Sequence, residues 1–484
     1  MTRFARNLIH VYGGNALNGV LGIASVPVLV ALLGIEGYGI YAIYPIVYSI
    51  ITLAESGFTK NLVRLLAGSS TDTERVAHLN AAFGFYALLS ALLLLALPLA
   101  AWLVPTGMFD LEPRHTAAAA IIVTIAIVEY IVAIPPVTLV WNAAAAERFT
   151  QVARFNVISG LYRYAFLLLG ALLLRTPEGA VAFAAARRLV DYAVAPRVLG
   201  GLPRGAWRAS FDAVRLRALV AAAVPMTAAQ TGATLVITLP AVLASRYFGA
   251  AGLGAFRAIY DLSSRVWFLS VGAGFVVFPK LVREMGAGAA SAERRARMAS
   301  ALQGSWLVYA ALAIIGTTAT PFIADWIGPH MTDVLWAFPL VLAGTCLNAH
   351  AQASFEFLQA ARRTWLLVGI VAVTLAALAI GAVTFSAYGF LALGGAWLAS
   401  QLLYALASDA LTLGTLGTST RTQLGAAAMK LAGAGVVVLC AALLVAGVWY
   451  WPAPAVLWLA GSAGYAARLY REAVGPPAIA GALS

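Results

Sequence analysis

Arg257, Asp261 and Arg265 stand at i, i+4 and i+8 in a stretch that is otherwise apolar. On a helix this spacing puts all three side chains on one face. A guanidinium stays charged at any physiological pH and can grip two phosphate oxygens at once. Arg187, Arg188 and Asp191 make a second such group, and Arg163 sits between Tyr162 and Tyr164. Charge inside a bilayer costs about 2.5 to 3.5 kcal/mol per residue on insertion scales, so each of these side chains needs a reason. One reason is a central hydrophilic cavity that takes a pyrophosphate or another anionic head group. The other is internal salt bridging between helices. A single aspartate cannot neutralise two arginines, which favours the cavity for Arg257 and Arg265. For Arg187 and Arg188 both readings stay open.

Uncharged polar residues form further stripes. Asn348, Gln352, Glu356 and Gln359 follow a helical spacing, and amide-rich faces suit sugars. Amides also join membrane helices at modest gain, but four on one face favour a wall facing water. His350 lies nearly opposite Asn348 on that helix and reads as a packed residue. Asn15 and Asn18 fall at places equivalent to Gln230 and Thr231, as expected of a shared cavity wall. Tyr41, Tyr44, Tyr48, Thr52 and Glu55 line another side, for which core packing is the commoner explanation. Glu55, Glu129, Asp191 and Asp409 are the acids placed to take H+ or Na+ in coupling; each could instead pair with an arginine. No organic cofactor or metal centre is indicated.

The elements that must hold these residues follow from composition. The chain has 484 residues, 62% hydrophobic and 10% charged, with a mean hydropathy of +0.88. A soluble domain would carry far more charge. About 20 apolar residues cross a bilayer, and the chain offers roughly fourteen such spans. They are long, rich in Leu and Ala and do not alternate, which excludes a β-barrel. The expected class is therefore all-α and integral to the membrane.

The spans repeat. Pro27 opens a run through Gly34, Gly37, Gly39 and Tyr41, and Pro240 opens one through Gly249, Gly252, Gly254 and Phe256, at an offset of about 215. Further on, Leu62-Val63-Arg64 answers Leu281-Val282-Arg283. This divides the chain into a first lobe at 1–199 with about six spans, a basic connector at 200–217 and a second lobe at 218–413. A linker and two further helices at 414–484 stand outside the repeat.

The net charge of +12 orients the protein rather than binding nucleic acid. Arg114, Arg175 and Arg246 fall in outer loops, whereas most basic residues outside the spans fall on the opposite face. That bias places both termini in the cytoplasm. The first span is too long, and carries Asn15 and Asn18, for a cleaved signal peptide. Lys60, Lys280 and Lys430 each follow a residue other than glycine, so the phosphate-binding loop of an ATPase is absent. Cys346 and Cys440 lie within spans and suggest no disulfide framework.

Three short motifs carry a resemblance. Leu33-Gly34-Ile35-Glu36-Gly37-Tyr38-Gly39-Ile40-Tyr41 resembles the first outer hairpin of polysaccharide-export flippases of the multidrug, oligosaccharidyl-lipid, polysaccharide (MOP) superfamily. Ala54-Glu55-Ser56-Gly57-Phe58 before Leu62-Val63-Arg64 resembles the end of their second helix, where Asp is more usual than Glu. Phe278-Pro279-Lys280-Leu281 resembles the end of their eighth. The O-antigen and exopolysaccharide branch is the nearest. This resemblance implies two six-helix bundles, a central hydrophilic cavity and alternating access. It also implies a polyprenyl-pyrophosphate-linked oligosaccharide moved from the inner to the outer leaflet of a bacterial inner membrane, with membrane lipid and a polysaccharide polymerase as companions. A lipid II flippase and a multidrug antiporter share the fold; the antiporter should have an acidic cavity, and this chain leans basic. An integral-membrane glycosyltransferase or polymerase would need outer-loop acids, of which Asp110 and Glu112 are the nearest pair.

Overall fold

The computed structural model describes residues 3–270, 292–327, 332–361, 363–446, 452–454, 456–460 and 462, with side chains from Leu17 onward except at 53, 54, 56, 218, 222, 292–298, 324, 332, 333 and 445. The expected last span at 455–470 and the Phe278-Pro279-Lys280-Leu281 motif lie wholly or largely outside the described residues. The elements are α1 (Arg3–Ala54), α2 (Ser56–Gly68), α3 (Asp72–Leu103), a π-helical turn (Val104–Met108), α4 (Pro113–Ala145), α5 (Phe149–Leu174), α6 (Pro177–Leu199) and α7 (Ala213–Ser263). A 3-10 turn (Ser264–Val266) precedes α8 (Ala292–Thr318), α9 (Thr320–Ile327), α10 (Thr332–Leu335), α11 (Phe338–Ala360), α12 (Thr364–Thr384), α13 (Phe390–Thr415) and α14 (Thr420–Val445). The described residues contain no strand.

Nine segments among the described residues are long and apolar enough to cross a membrane. Two of them, Leu17–Thr52 with 36 residues and Ala223–Ser270 with 48, exceed what one crossing of a ~30 Å core needs. Both are broken by a glycine of the repeat. Gly34 has φ 71° and ψ 168°, and Gly249 has φ 65° and ψ −163°. A side chain resists that region, and glycine does not. α6 and α11, each of 23 residues, are long enough to cross but carry polar faces. Along α3, Leu92 is 62% and Leu95 80% exposed, as a lipid-facing stripe requires.

The two glycine breaks touch each other. A Cβ on Gly39 would fall 2.1 Å from the Ala250 carbonyl oxygen, and one on Gly254 would fall 2.0 Å from the Ile35 carbonyl oxygen. Gly39 and Gly254 are equivalent in the repeat, as are Ile35 and Ala250. The contact is thus reciprocal, as between the halves of a two-fold pair.

Packing divides the chain into two compact units, Met1–Leu262 and Ser263–Ser484. This division falls later than the 200–217 connector, where the repeat places its junction, because α7 packs within the first unit. Gly57 lies against Thr227 and Ala223 of α7, and Asn61 Nδ2 donates to the Leu219 carbonyl. The core of this unit includes Leu139, Ala143, Phe155, Ala195 and Leu199 from α4, α5 and α6. Residues 200–212 form turns strapped to α3, with Asn80 Nδ2 donating to the Gly205 carbonyl and Arg208 N donating to Asn80 Oδ1. In the second unit Trp397 of α13 packs on Gly344 of α11 and donates to the Val341 carbonyl.

Two spans begin or end elsewhere than the apolar pattern indicates. The last complete helix starts at Thr420 instead of near Met429, because Ser419 caps it by accepting from Thr422 N. The span expected at 298–327 is two helices, α8 and α9.

Candidate functional site

The first unit holds a polar system built on α1, α4, α5, α6 and α7. On α1, Tyr38, Tyr41, Tyr44 and Tyr48 succeed one another at helical spacing. Their ring centroids are 5.7, 6.5 and 5.9 Å apart in sequence, and Tyr130 of α4 continues the row 6.4 Å from Tyr48.

Beside this row lies a closed ion cluster. Glu129 Oε1 receives Arg187 Nη2 at 3.1 Å and Arg188 Nε at 2.9 Å. Asp191 Oδ2 receives Arg188 Nη1 at 3.0 Å and lies 3.5 Å from Arg187 Nη1. Tyr44 donates to Glu129 Oε2 at 2.5 Å, Arg188 Nη2 donates to the Tyr48 hydroxyl at 2.6 Å, and Tyr162 and Ser159 donate to Asp191. Two cations thus meet two anions. Of the two readings left open for Arg187 and Arg188, the geometry is that of helix-tying salt bridges. Glu129 is not isolated; it joins α4 to α6.

The cavity reading was favoured for Arg257, and here the structure differs from that expectation. Arg257 Nη2 pairs with Asp261 Oδ1 at 2.8 Å, Tyr38 donates to Asp261 Oδ2 at 2.7 Å, and the guanidinium lies over the Tyr260 ring at 5.2 Å. The regular helix ends at Ser263, and Arg265 belongs to the 3-10 turn of the second unit, half-buried. The face of three charges therefore does not continue on one α-helix.

Arg163 stands apart. Midway along α5, it makes no ion pair among the described residues. It lies over the Tyr164 ring at 5.1 Å, within electrostatic reach of Tyr41, Tyr44 and Glu129, and its side chain remains exposed. Glu55, at the break between α1 and α2, is buried and accepts from the Tyr130 hydroxyl at 2.8 Å, with no cation paired to it among the described residues. Asn18 packs α1 on α5, with Nδ2 donating to the Asn156 carbonyl at 3.3 Å. Gln230 is half-buried on α7, and the Asn15 side chain lies outside the described residues.

In the second unit the amide stripe is partly helix-joining. Asn348 Nδ2 donates to Gln401 Oε1 of α13 at 2.5 Å, and Gln352 donates to Glu356 at 2.9 Å. Gln359 is buried. Asp409 is bound by Lys430 at 2.7 Å, by Ser354 at 2.6 Å and by His350 at 2.8 Å. His350 is packed, as its place on the helix implied. Lys430 went unnoticed in the sequence because it sits at the edge of the apolar run; the Ser419 cap puts it well inside α14. Tyr38 was also missed as the tyrosine that donates to Asp261. Among the described residues no three His, Cys, Asp or Glu side chains gather as metal ligands would.

Residues 4–285 match the model of a family described as polysaccharide biosynthesis protein. The chain belongs to that family. The fold of this chain is also seen in solved structures. One, described as "Lipid II flippase MurJ, inward closed conformation", has a TM-score of 0.64 at 12% identity, covering 96% of this chain and 100% of its own. The MATE multidrug transporter DinF-BH in complex with R6G has a TM-score of 0.64 at 12% identity, covering 87% of this chain and 96% of its own. An inward-facing MATE family transporter of the MOP superfamily has a TM-score of 0.61 at 13% identity, covering 83% of this chain and 96% of its own. No curated protein matches the chain. These likenesses bear out the all-α MOP fold and the expected resemblance. The chain is thus a member of the polysaccharide biosynthesis protein family that shares its fold with these transporters and has several helices apolar and long enough to cross a membrane.

Proposed function

We propose that the chain moves a polyprenyl-pyrophosphate-linked oligosaccharide from the inner to the outer leaflet by alternating access, in the bacterial inner membrane with both termini cytoplasmic. Arg163 carries this reading. It is a mid-span guanidinium with no carboxylate paired to it among the described residues, and it borders a row of tyrosines. A pyrophosphate needs a fixed cation, and sugars stack on aromatic faces. The sets at Arg187, Arg188 and Arg257 are already matched by acids, so their role in this proposal is to hold the surface in place. Gln230 on α7 is the polar group of the same unit offered to the glycan. Glu55 and Asp409 are the acids through which H+ or Na+ would couple. Assembly of O-antigen or exopolysaccharide is the proposed context, with a polymerase as receiving partner.

The multidrug reading, supported by the MATE likenesses, predicts preference for a cation. Binding distinguishes the two. Polyprenyl pyrophosphate should bind the wild-type protein at least tenfold more tightly than an uncharged polyprenol, and Arg163→Ala should erase that difference. Tighter binding of a cationic dye, with no preference for the pyrophosphate, would favour the antiporter.

A further inference from the structure

Residues 200–212 join α6 to α7 without forming an α-helix, and they are held on α3. Asn80 makes three of the attachments. Its Nδ2 donates to the Gly205 carbonyl at 3.1 Å, its Oδ1 accepts from Arg208 N at 3.2 Å, and its own carbonyl accepts from Ser210 N at 2.9 Å. Ala206 is fully buried. The Ser210 carbonyl sits where Gly84 leaves room, since a Cβ there would fall 2.1 Å from it. The strap thus follows α3 from Val76, beside Gly205, to Gly84, a rise of about 12 Å.

The strap turns outward a mixture that water alone does not favour. Trp207 lies beside Phe83 with ring centroids 5.5 Å apart, yet remains 54% exposed. Phe211 is 59% exposed, and Val214 at the start of α7 is 79% exposed. Interleaved with them are Arg204 and Arg208, both exposed and in no ion pair among the described residues. Neither side chain holds the strap, because the bond at Arg208 is made by its backbone. The acids at this end are engaged or more distant. Asp212 is taken by Arg215 at 3.2 Å and accepts from Val214 N, and Glu74 accepts from Ser70 N. Asp72 opens α3 about two turns before Asn80. The depth of the strap follows from α3. Leu88, Leu92, Leu95 and Leu99 form its exposed apolar stripe, and Gly84 precedes Leu88 by one turn on the same face. Counted back from Leu103, the ~20 residues that fill a hydrocarbon core reach Gly84. Trp207, Phe211 and the two guanidiniums therefore lie at the foot of the lipid-facing stripe, in the head-group layer where Trp and Arg are at home.

We propose that residues 204–211 bind an anionic phospholipid of the leaflet they face. Arg204 and Arg208 take its head-group phosphate, and Trp207 and Phe211 lie against its glycerol and upper acyl chain. The occupant is a lipid because apolar and cationic groups interleave here; a soluble phosphate would leave Trp207 and Phe211 in water. The strap also runs directly into a stripe of leucines that a bilayer covers. The lipid is anionic because two guanidiniums stand there unmatched, and each basic residue near such a surface strengthens binding roughly fivefold. The inference rests on the chain spanning a membrane and not on the identity of its cargo.

The test uses full-length protein in nanodiscs of phosphatidylcholine and phosphatidylglycerol. A quencher is carried on the head group of one lipid or the other and titrated by mole fraction. Subtracting the emission of Trp207→Phe from that of wild type isolates Trp207 among the 12 tryptophans. Labelled phosphatidylglycerol should quench that component at about a tenth or less of the mole fraction that labelled phosphatidylcholine requires. Arg204→Gln and Arg208→Gln should each cut the preference roughly fivefold, while quenching by the phosphatidylcholine label persists because Trp207 stays in place. Arg175→Gln, an exposed arginine beyond the far end of α5, should leave the preference unchanged. Equal quenching by the two labels would show no recognition of the anionic head and overturn the proposal. A preference undiminished in the double arginine variant would overturn it too. So would a Trp207 component that neither label quenches and that answers only to inorganic phosphate, since the strap would then stand clear of the bilayer and face a soluble anion.

Discussion

At the scale of residues, partnership separates the arginines. Arg187 and Arg188 share Glu129 and Asp191, and Arg257 has Asp261. Glu129→Gln should leave two buried guanidiniums on one carboxylate, at a cost of about 3 to 5 kcal/mol. Thermal unfolding in detergent should show a clear fall; a melting point within a degree of wild type would mean the cluster ties nothing together. Arg163→Ala should keep the melting point and lose a charge-assisted contact worth roughly 1.5 to 3 kcal/mol, or tenfold to over a hundredfold in affinity for the pyrophosphate lipid. Arg163→Lys should recover part of it, since it restores the charge but not the planar fork. Equal affinity in all three would remove Arg163 from the site. The sequence showed which charges lie within spans, because an arginine in an apolar run is conspicuous. It did not show which were matched. Glu129 lies 58 positions before Arg187, and only the fold brings α4 against α6.

At the scale of elements, the glycine repeat is the most legible feature of the chain. Its spacing located both helix breaks, since only glycine takes positive φ there without strain. Gly34→Ala or Gly249→Ala should cost roughly 1 to 3 kcal/mol, since both glycines take positive φ with ψ near 180°, a region essentially closed to other residues. Gly39→Ala and Gly254→Ala should cost more, because each added Cβ meets a backbone carbonyl that cannot turn aside. The two changes open the same contact, so the double variant should lose less than the sum of the singles. Folded yield and melting temperature of the four variants check this; strict additivity would mean the reciprocal contact is not shared. Apolar runs were a poorer guide to helix ends. The apolar run begins at Met429, whereas the Ser419 cap starts the helix at Thr420, which puts Lys430 well inside the helix.

At the scale of the whole molecule, the fold class followed from composition, and the family from the glycine hairpin with its repeat. The cargo did not follow, because a glycan is read by side chains from several helices and no local motif reports it. The central claim is that this protein carries an anionic lipid-linked glycan on a surface where Arg163 makes no ion pair among the described residues. Its most direct test is leaflet translocation of a labelled polyprenyl-pyrophosphate oligosaccharide in proteoliposomes, comparing wild type with Arg163→Ala. The account predicts rapid appearance of the label in the opposite leaflet with wild type, and a loss of at least tenfold with the variant at unchanged reconstitution. No movement by folded wild-type protein, or equal movement by both, would contradict it.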